Sequence, residues 1–331
     1  MRKGARSMQK SKAFVLRHFE MTVVIVLALA TAFAVLVAGN KVAFLNFYYI
    51  PVLVASYFMG RRQGVLVAVA CVLMVALYAV LNPGIFIPLP NEIPQLNLAL
   101  WGSFIIVTAF VVGTLYDYKK RAESDLRQAY QGILEILAKF IDAVDSYTQE
   151  HSMRVGALAG EIAETMGLDE SEVEAVRVAG LLHDIGKIDV SIEVLRKASA
   201  LNDDEWTQIR THALKGTEIL LPVGGLLRGV VPLVEYHHEC FDGTGYLGIR
   251  GANIPLGARI LSVADSFDAM VCDRPYRAGR TAIEAIKEVE RCSGSQFDPD
   301  VVEAFTRVMY RRDEASTPIG SPLKRAEMAA T

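Results

Sequence analysis

The chain has 331 residues, 52% of them hydrophobic, with 34 Lys+Arg against 37 Asp+Glu and a formal charge of −3. That charge says little about partners, because it averages an apolar N-terminal third and a later part that carries nearly all the acidic residues. Four cysteines (Cys71, Cys240, Cys272, Cys292) form no CxxC pair, which argues against a disulfide framework or zinc-thiolate site and suits a reducing cytosol for the soluble part.

Residues 1–20 form a basic leader containing Arg2, Lys3, Arg6, Lys10, Lys12 and Arg17. Four apolar runs follow, Met21–Ala38, Val42–Gly60, Gly64–Leu81 and Leu98–Tyr116, each close to the ~20 residues a helix needs to span a bilayer. No acidic residue occurs between Thr22 and Leu81. The first run is too long for the apolar region of a signal peptide and precedes no small-residue cleavage site. Arg61 and Arg62 lie between the second and third runs, and Lys119, Lys120 and Arg121 follow the fourth. The other two joints carry only Lys41 and no base at all, so the positive-inside rule places both termini in the cytoplasm. The outer joint NPGIFIPLPNEIPQLN is too short for a folded sensor domain. The stretch NFYYIPVLVASYFMGRRQG resembles four-span input modules that precede bacterial signalling domains, and residues 21–116 are assigned to such a module.

A connector at 117–133 leads into the next domain. From Asp117 to Val144, the positions Leu126, Tyr130, Ile133, Leu137, Phe140 and Val144 recur at spacings of three and four, as in a coiled-coil seam. An amphipathic helix packed on its own domain and a parallel dimer helix both fit this pattern.

Five of the six histidines fall between residues 151 and 238. A lone histidine on an apolar face is a core residue more often than a ligand, but five with matching carboxylates point to metal binding. In VRVAGLLHDIGKIDV, Val176–Leu182 read as the buried face of a helix, with His183 and Asp184 near its end and Gly186 stopping it. Asp184 is short enough to lean between two cations, and Lys187 on the next turn can meet a phosphate. A second helix presents His151 beside the apolar positions Val155, Leu158, Ile162 and Met166. A third presents His212, with Asn202 or Asp203 as its cap. Then come His237, His238 and Glu239, the turn containing Asp242, Gly243, Gly245 and Tyr246, and the apolar helix bearing Asp265 and Asp268 on one face. An unpaired buried carboxylate is costly, so Asp265 suggests a cation. Neither a phosphate-binding glycine loop nor a DNA-reading motif is present, and no nucleic-acid polymer is expected as partner.

His151, then His183-Asp184, then Asp265 match the H…HD…D pattern of HD-superfamily phosphohydrolases. His212, His237-His238, DGTGY, ANIPLGARILSVADSFDAM, CDRPYR and SQFDPDVVEAF narrow the resemblance to the HD-GYP family over residues 134–312. The resemblance implies an all-α fold, with four transmembrane helices followed by a cytoplasmic HD-type helical bundle, and a polar, disordered tail at 313–331. It implies a bacterial inner-membrane location and hydrolysis of cyclic di-GMP to pGpG or onward to GMP. It assigns one metal to His151, His183, Asp184 and Asp265, and a second to Asp184, His212, His237 and His238. Two cations sharing a carboxylate would lie about 3.5–4 Å apart and lower the pKa of a water between them. Iron or manganese is expected, and because Tyr147 stands where some relatives place a third-metal glutamate, two metals rather than three. Lys187, Tyr246, Arg274 and Arg277 are the implied substrate contacts, with Asp184 and Lys187 catalytic. Glu239 could orient a neighbouring ligand or pair with an arginine, and Asp268 is similarly open.

Leu247 stands where the family has the proline of its GYP motif, and leucine is expected to loosen the loop. The competing readings are a catalytically weak cyclic di-GMP receptor or scaffold, and an HD phosphohydrolase for another cyclic dinucleotide. A homodimer and contacts with other cyclic di-GMP signalling proteins are the expected associations. No GGDEF or EAL motif occurs.

Overall fold

A computed structural model describes residues 21–34, 37, 45–82, 94–145, 150–195, 197, 201–273 and 278–316. All named elements among them are helical, and the one extended pairing is an isolated bridge between Ser293 and Phe297. The chain divides into two compact units, Met1–Gln128 and Ala129–Thr331.

The first unit contains α1 (Met21–Ala34), a 3₁₀ turn at Leu45–Tyr48, α2 (Tyr49–Met59), α3 (Arg61–Leu81) and the first part of α4 (Pro94–Asp145). Its small core joins Tyr48 and Val52 to Ala68, Cys71, Val75, Ile105 and Ala109. Around that core the helices stay apolar on their outer faces, where Leu66, Leu73, Leu77, Val80, Phe104 and Val107 are exposed. Among the described residues two helices, α3 and α4, are long and apolar enough to cross a membrane, and most of the apolar stretch of each is unburied. The first two of the four expected spans form shorter apolar helices, and residues 35–36 and 38–44 between them lie outside the described residues.

In the second unit, α4 turns Leu134, Ala138 and Ile141 towards the core and leaves Ile133, Leu137 and Phe140 exposed. Of the seam expected at Leu126, Tyr130, Ile133, Leu137, Phe140 and Val144, Tyr130 packs against the core while Leu126, Ile133, Leu137 and Phe140 are exposed, and the Val144 side chain lies outside the described residues. Next come α5 (His151–Met166), α6 (Glu170–Leu182), a 3₁₀ turn at Ile185–Asp189, α7 (Ile192–Leu195), α8 (Asp203–Arg210) and α9 (His212–Leu220). The remaining elements are α10 (Val231–Glu235), α11 (Leu256–Val271), α12 (Ala282–Arg291) and α13 (Pro299–Ser316).

Local chemistry sets several of these boundaries. Asp169 caps α6, accepting from the backbone of Ser171 and Glu172 while Glu172 reaches back to the Asp169 N–H. Asn202, not Asp203, caps α8 in the same reciprocal way with Glu205. The single helix expected through His212 is broken at Thr211, so His212 opens α9 rather than sitting inside a longer helix. At the centre, α5 and α6 touch through Gly156 and Gly180, where a Cβ on Gly180 would lie 2.5 Å from the Gly156 Cα. That crossing buries Val155, Ala159, Ile162, Val176, Ala179 and Leu182 fully or nearly so. It also brings His151, at the start of α5, beside His183, at the end of α6, with ring centroids 5.4 Å apart.

Candidate metal centre

Two clusters of ligating side chains meet at Asp184. One is His151, His183 and Asp265; the other is Asp184, His212, His237 and His238; within each, the ligand atoms lie within 4.8 Å of one another. Asp184 joins them, its Oδ2 lying 3.3 Å from His183 Nε2 and its Oδ1 3.5 Å from His212 Nε2. Asp265 Oδ1 is 3.3 Å from His151 Nε2 and 3.9 Å from His183 Nε2.

Three of the imidazoles are oriented by one device. The Nδ1 of His183 donates to Gly180 O (2.8 Å), that of His212 to Ile209 O (2.6 Å) and that of His237 to Val234 O (2.6 Å). Each acceptor lies in the last turn of a helix (α6, α8 and α10), where carbonyls lack helical partners. The bond fixes the tautomer, leaving Nε2 as the bare, lone-pair nitrogen. His183 Nε2 is buried with no hydrogen-bond donor against it and faces carboxylate oxygens. Lone pairs converging on lone pairs in a buried space are repulsive unless a cation lies between them, so the donor set fits divalent metal.

His151 is held differently. Its Nδ1 donates to Asp268 Oδ2 at 2.8 Å, and Arg154 grips the same carboxylate through Nε (2.7 Å) and Nη2 (2.9 Å). Asp268 thus positions a ligand rather than facing the cluster's interior. Arg154 was not evident as part of the site from sequence, although it lies one turn after His151 on the same helix face.

Charge divides along the same line. Burial disfavours a charge on His151, but hydrogen bonds to Asp265 and Asp268 outweigh it and lift the imidazole to about 10. For His183, burial is again overcome, by Asp184 above all, and the shift is upward. On the other side, burial and neighbouring imidazoles push His237 well below its usual value and His238 down to about 4. Burial lowers His212 as well. Asp184 stays ionised despite burial because Lys187, His183 and His212 surround it, with Lys187 Nζ at 2.8 Å.

The loop after His238 is built around Glu239. This buried carboxylate accepts from Leu247 N–H (Oε1, 2.7 Å) and Ile249 N–H (Oε2, 2.8 Å). Neither role expected of Glu239, orienting a ligand or pairing with an arginine, is needed to explain its burial. Leu247 has an amide hydrogen that proline lacks, so the loop is pinned at the position where leucine was expected to loosen it. Asp242 closes the turn by accepting from the backbone and hydroxyl of Thr244 at 3.0 and 2.7 Å, and Gly243 takes the left-handed φ of 88°. Gly245 passes so close to the preceding strand of chain that a Cβ would lie 2.5 Å from the Glu239 Cα. Tyr246 packs on His238 (centroids 4.7 Å, 40°) and edge-on to His212. Arg210, a second residue missed from sequence, lies over the Tyr246 ring with its guanidinium 5.5 Å from the centroid. Arg274, Arg277 and Tyr147 lie outside the described residues.

The HD domain family model matches residues 135–301. A cyclic di-GMP phosphodiesterase of Thermotoga maritima is 39% identical over 190 residues, 55% of this chain and 52% of that protein. The cyclic di-GMP phosphodiesterase PA4108 of Pseudomonas aeruginosa is 40% identical over 166 residues (50% and 40%). The 3'3'-cGAMP-specific phosphodiesterase 3 of Vibrio cholerae is 34% identical over 191 residues (57% and 41%). The matched part thus spans about half or less of each relative. The chain belongs to the HD domain family.

Two outcomes are expected from this geometry. Because His151, lifted to about 10 between Asp265 and Asp268, holds a proton that a metal must displace, titrating a divalent ion into metal-free protein at pH 7.5 should release at least one proton per chain. Calorimetry in two buffers of different ionisation enthalpy measures this, and identical heats would contradict it. Glu239→Ala strips two charge-assisted bonds of ~1.5–3 kcal/mol each and should lower the thermal midpoint by at least about 6 °C. An unchanged midpoint would show that the carboxylate does not hold the loop.

Proposed function

We propose that the chain is a membrane-anchored phosphodiesterase that hydrolyses cyclic di-GMP through a two-metal site. The observation that carries this reading is Asp184, whose two oxygens face Nε2 lone pairs of opposite clusters at 3.3 and 3.5 Å. The names of the relatives at 39% and 40% identity support the substrate. His151, His183, Asp184 and Asp265 would hold one ion, and Asp184, His212, His237 and His238 the other. Nitrogen and oxygen donors without sulfur suit iron or manganese. Bound there, the ions would lower the pKa of a water for in-line attack on phosphorus and neutralise the phosphoryl oxygens.

The chain's own residues do the rest. Asp184 and Asp265 place negative charge where cations are needed, and the helix-end carbonyls hold three imidazoles in the ligating tautomer. Lys187, now paired with Asp184 at 2.8 Å, is within reach of a phosphate oxygen brought to the site and would stabilise charge that develops there. Arg274 and Arg277 are assigned to the substrate's phosphates or guanine on the family resemblance. Hydrolysis of one phosphodiester gives pGpG, and of both gives GMP.

Four membrane spans with both termini in the cytoplasm agree with the basic joints and with the largely unburied apolar faces of α3 and α4. The exposed stripe Ile133, Leu137 and Phe140 suits pairing with a second copy. Contacts of the glycine loop with other cyclic di-GMP signalling proteins are part of the same reading. A second substrate has a specific observation behind it: a relative at 34% identity is named for 3'3'-cGAMP.

The test is turnover of cyclic di-GMP by the metal-loaded full chain beside Asp184→Ala. The wild type should convert it to pGpG, and the variant should lose at least ~10³-fold in kcat while losing bound metal. Tight binding without turnover, with metal present, would make the chain a receptor instead.

A further inference from the structure

We propose that the cavity beside Tyr246 is a base pocket that selects guanine, an inference that rests on the cyclic-dinucleotide reading above and adds specificity to it. The cavity has a volume of about 170 Å³ and is lined by Ala213, Leu214 and Leu247 with Tyr246, Arg210 and Glu235. It is smaller than the ~300–1,000 Å³ of a site for a drug-sized molecule, so it suits one heterocycle rather than a whole dinucleotide.

Its position ties it to the metal centre. Tyr246 forms one wall and packs directly on His238, with centroids 4.7 Å apart, while Ala213 follows the ligand His212 in α9. A ring in the cavity would sit one aromatic thickness from the ligand cluster, comparable with the separation of a nucleotide base from its own phosphate. The flat wall and aliphatic floor offer stacking without regard to base identity.

Identity comes from the two charged residues. Arg210 and Glu235 line the same small space with opposite charges. A phosphate would meet Glu235, and a purely apolar ligand would strand both charges. Guanine satisfies both: O6 and N7 accept from a guanidinium, while N1–H and the N2 amine donate to a carboxylate. Adenine presents an amine towards the arginine and has no N1–H for the glutamate, leaving charged groups unpaired. A carboxylate has about four acceptor positions, enough for the two donors of the guanine edge. Leu247 forms part of the floor, and its amide bond to Glu239 at 2.7 Å fixes that floor in place.

The test compares binding of phosphorothioate analogues of cyclic di-GMP and cyclic di-AMP to the metal-loaded full chain, with hydrolysis of the natural dinucleotides followed in parallel. The wild type should prefer the guanine ligand, and Glu235→Gln should reduce that preference about 10–100-fold, the value of one bidentate base contact. Leu247→Trp, which fills the cavity, should weaken guanine-ligand binding at least 10-fold at unchanged metal content. A guanine preference unaltered by both variants, or none in the wild type, overturns the pocket. Hydrolysis with an unaltered preference would leave the phosphodiesterase reading standing. Glu235-dependent binding without hydrolysis would do the reverse, and absence of any binding would overturn both.

Discussion

The second unit is organised around a buried carboxylate that lone pairs approach from both sides. Asp184 has His183 Nε2 near one oxygen and His212 Nε2 near the other, with Lys187 alongside. A buried anion is tolerable only with matched positive charge, and Lys187 supplies part of it. Among the described residues the buried Nε2 of His183 has no hydrogen-bond partner while it faces carboxylate oxygens, which is the physical case for metal.

Helix ends provide the rigidity. His183, His212 and His237 each bond the carbonyl three residues earlier, in the last turn of α6, α8 and α10. One hydrogen bond thereby satisfies an orphan carbonyl, stops ring rotation and selects the ligating nitrogen. The Gly156–Gly180 contact then sets how closely α5 approaches α6, and so where His151 meets His183. The glycine loop is anchored by the same economy, with Glu239 fixing two amides and Tyr246 supporting His238.

Much of this was legible in the sequence for identifiable reasons. The seven ligand candidates stand out because histidines and aspartates in apolar helical contexts are chemically anomalous. The end of α6 before His183 and the Asn202 cap of α8 follow from local rules. What stayed hidden depended on long-range geometry. Arg154 is an ordinary helix-surface residue until α11 brings Asp268 to it, and Arg210 acquires meaning only when Tyr246 folds beneath it. Glu239 was ambiguous because its partners are backbone amides eight and ten residues away, which carry no side-chain signature. The same amides turn Leu247 from an apparent loosening into an anchor. The break at Thr211 was missed because the apolar pattern runs on through it.

The most direct measurement is the metal–metal distance in protein loaded with manganese or iron, read from anomalous diffraction or metal-edge X-ray absorption of the full chain. Two ions about 3.5–4 Å apart, the pair lost in Asp184→Ala, would match a shared carboxylate. A single ion, or two well separated ions that survive the substitution, would contradict it.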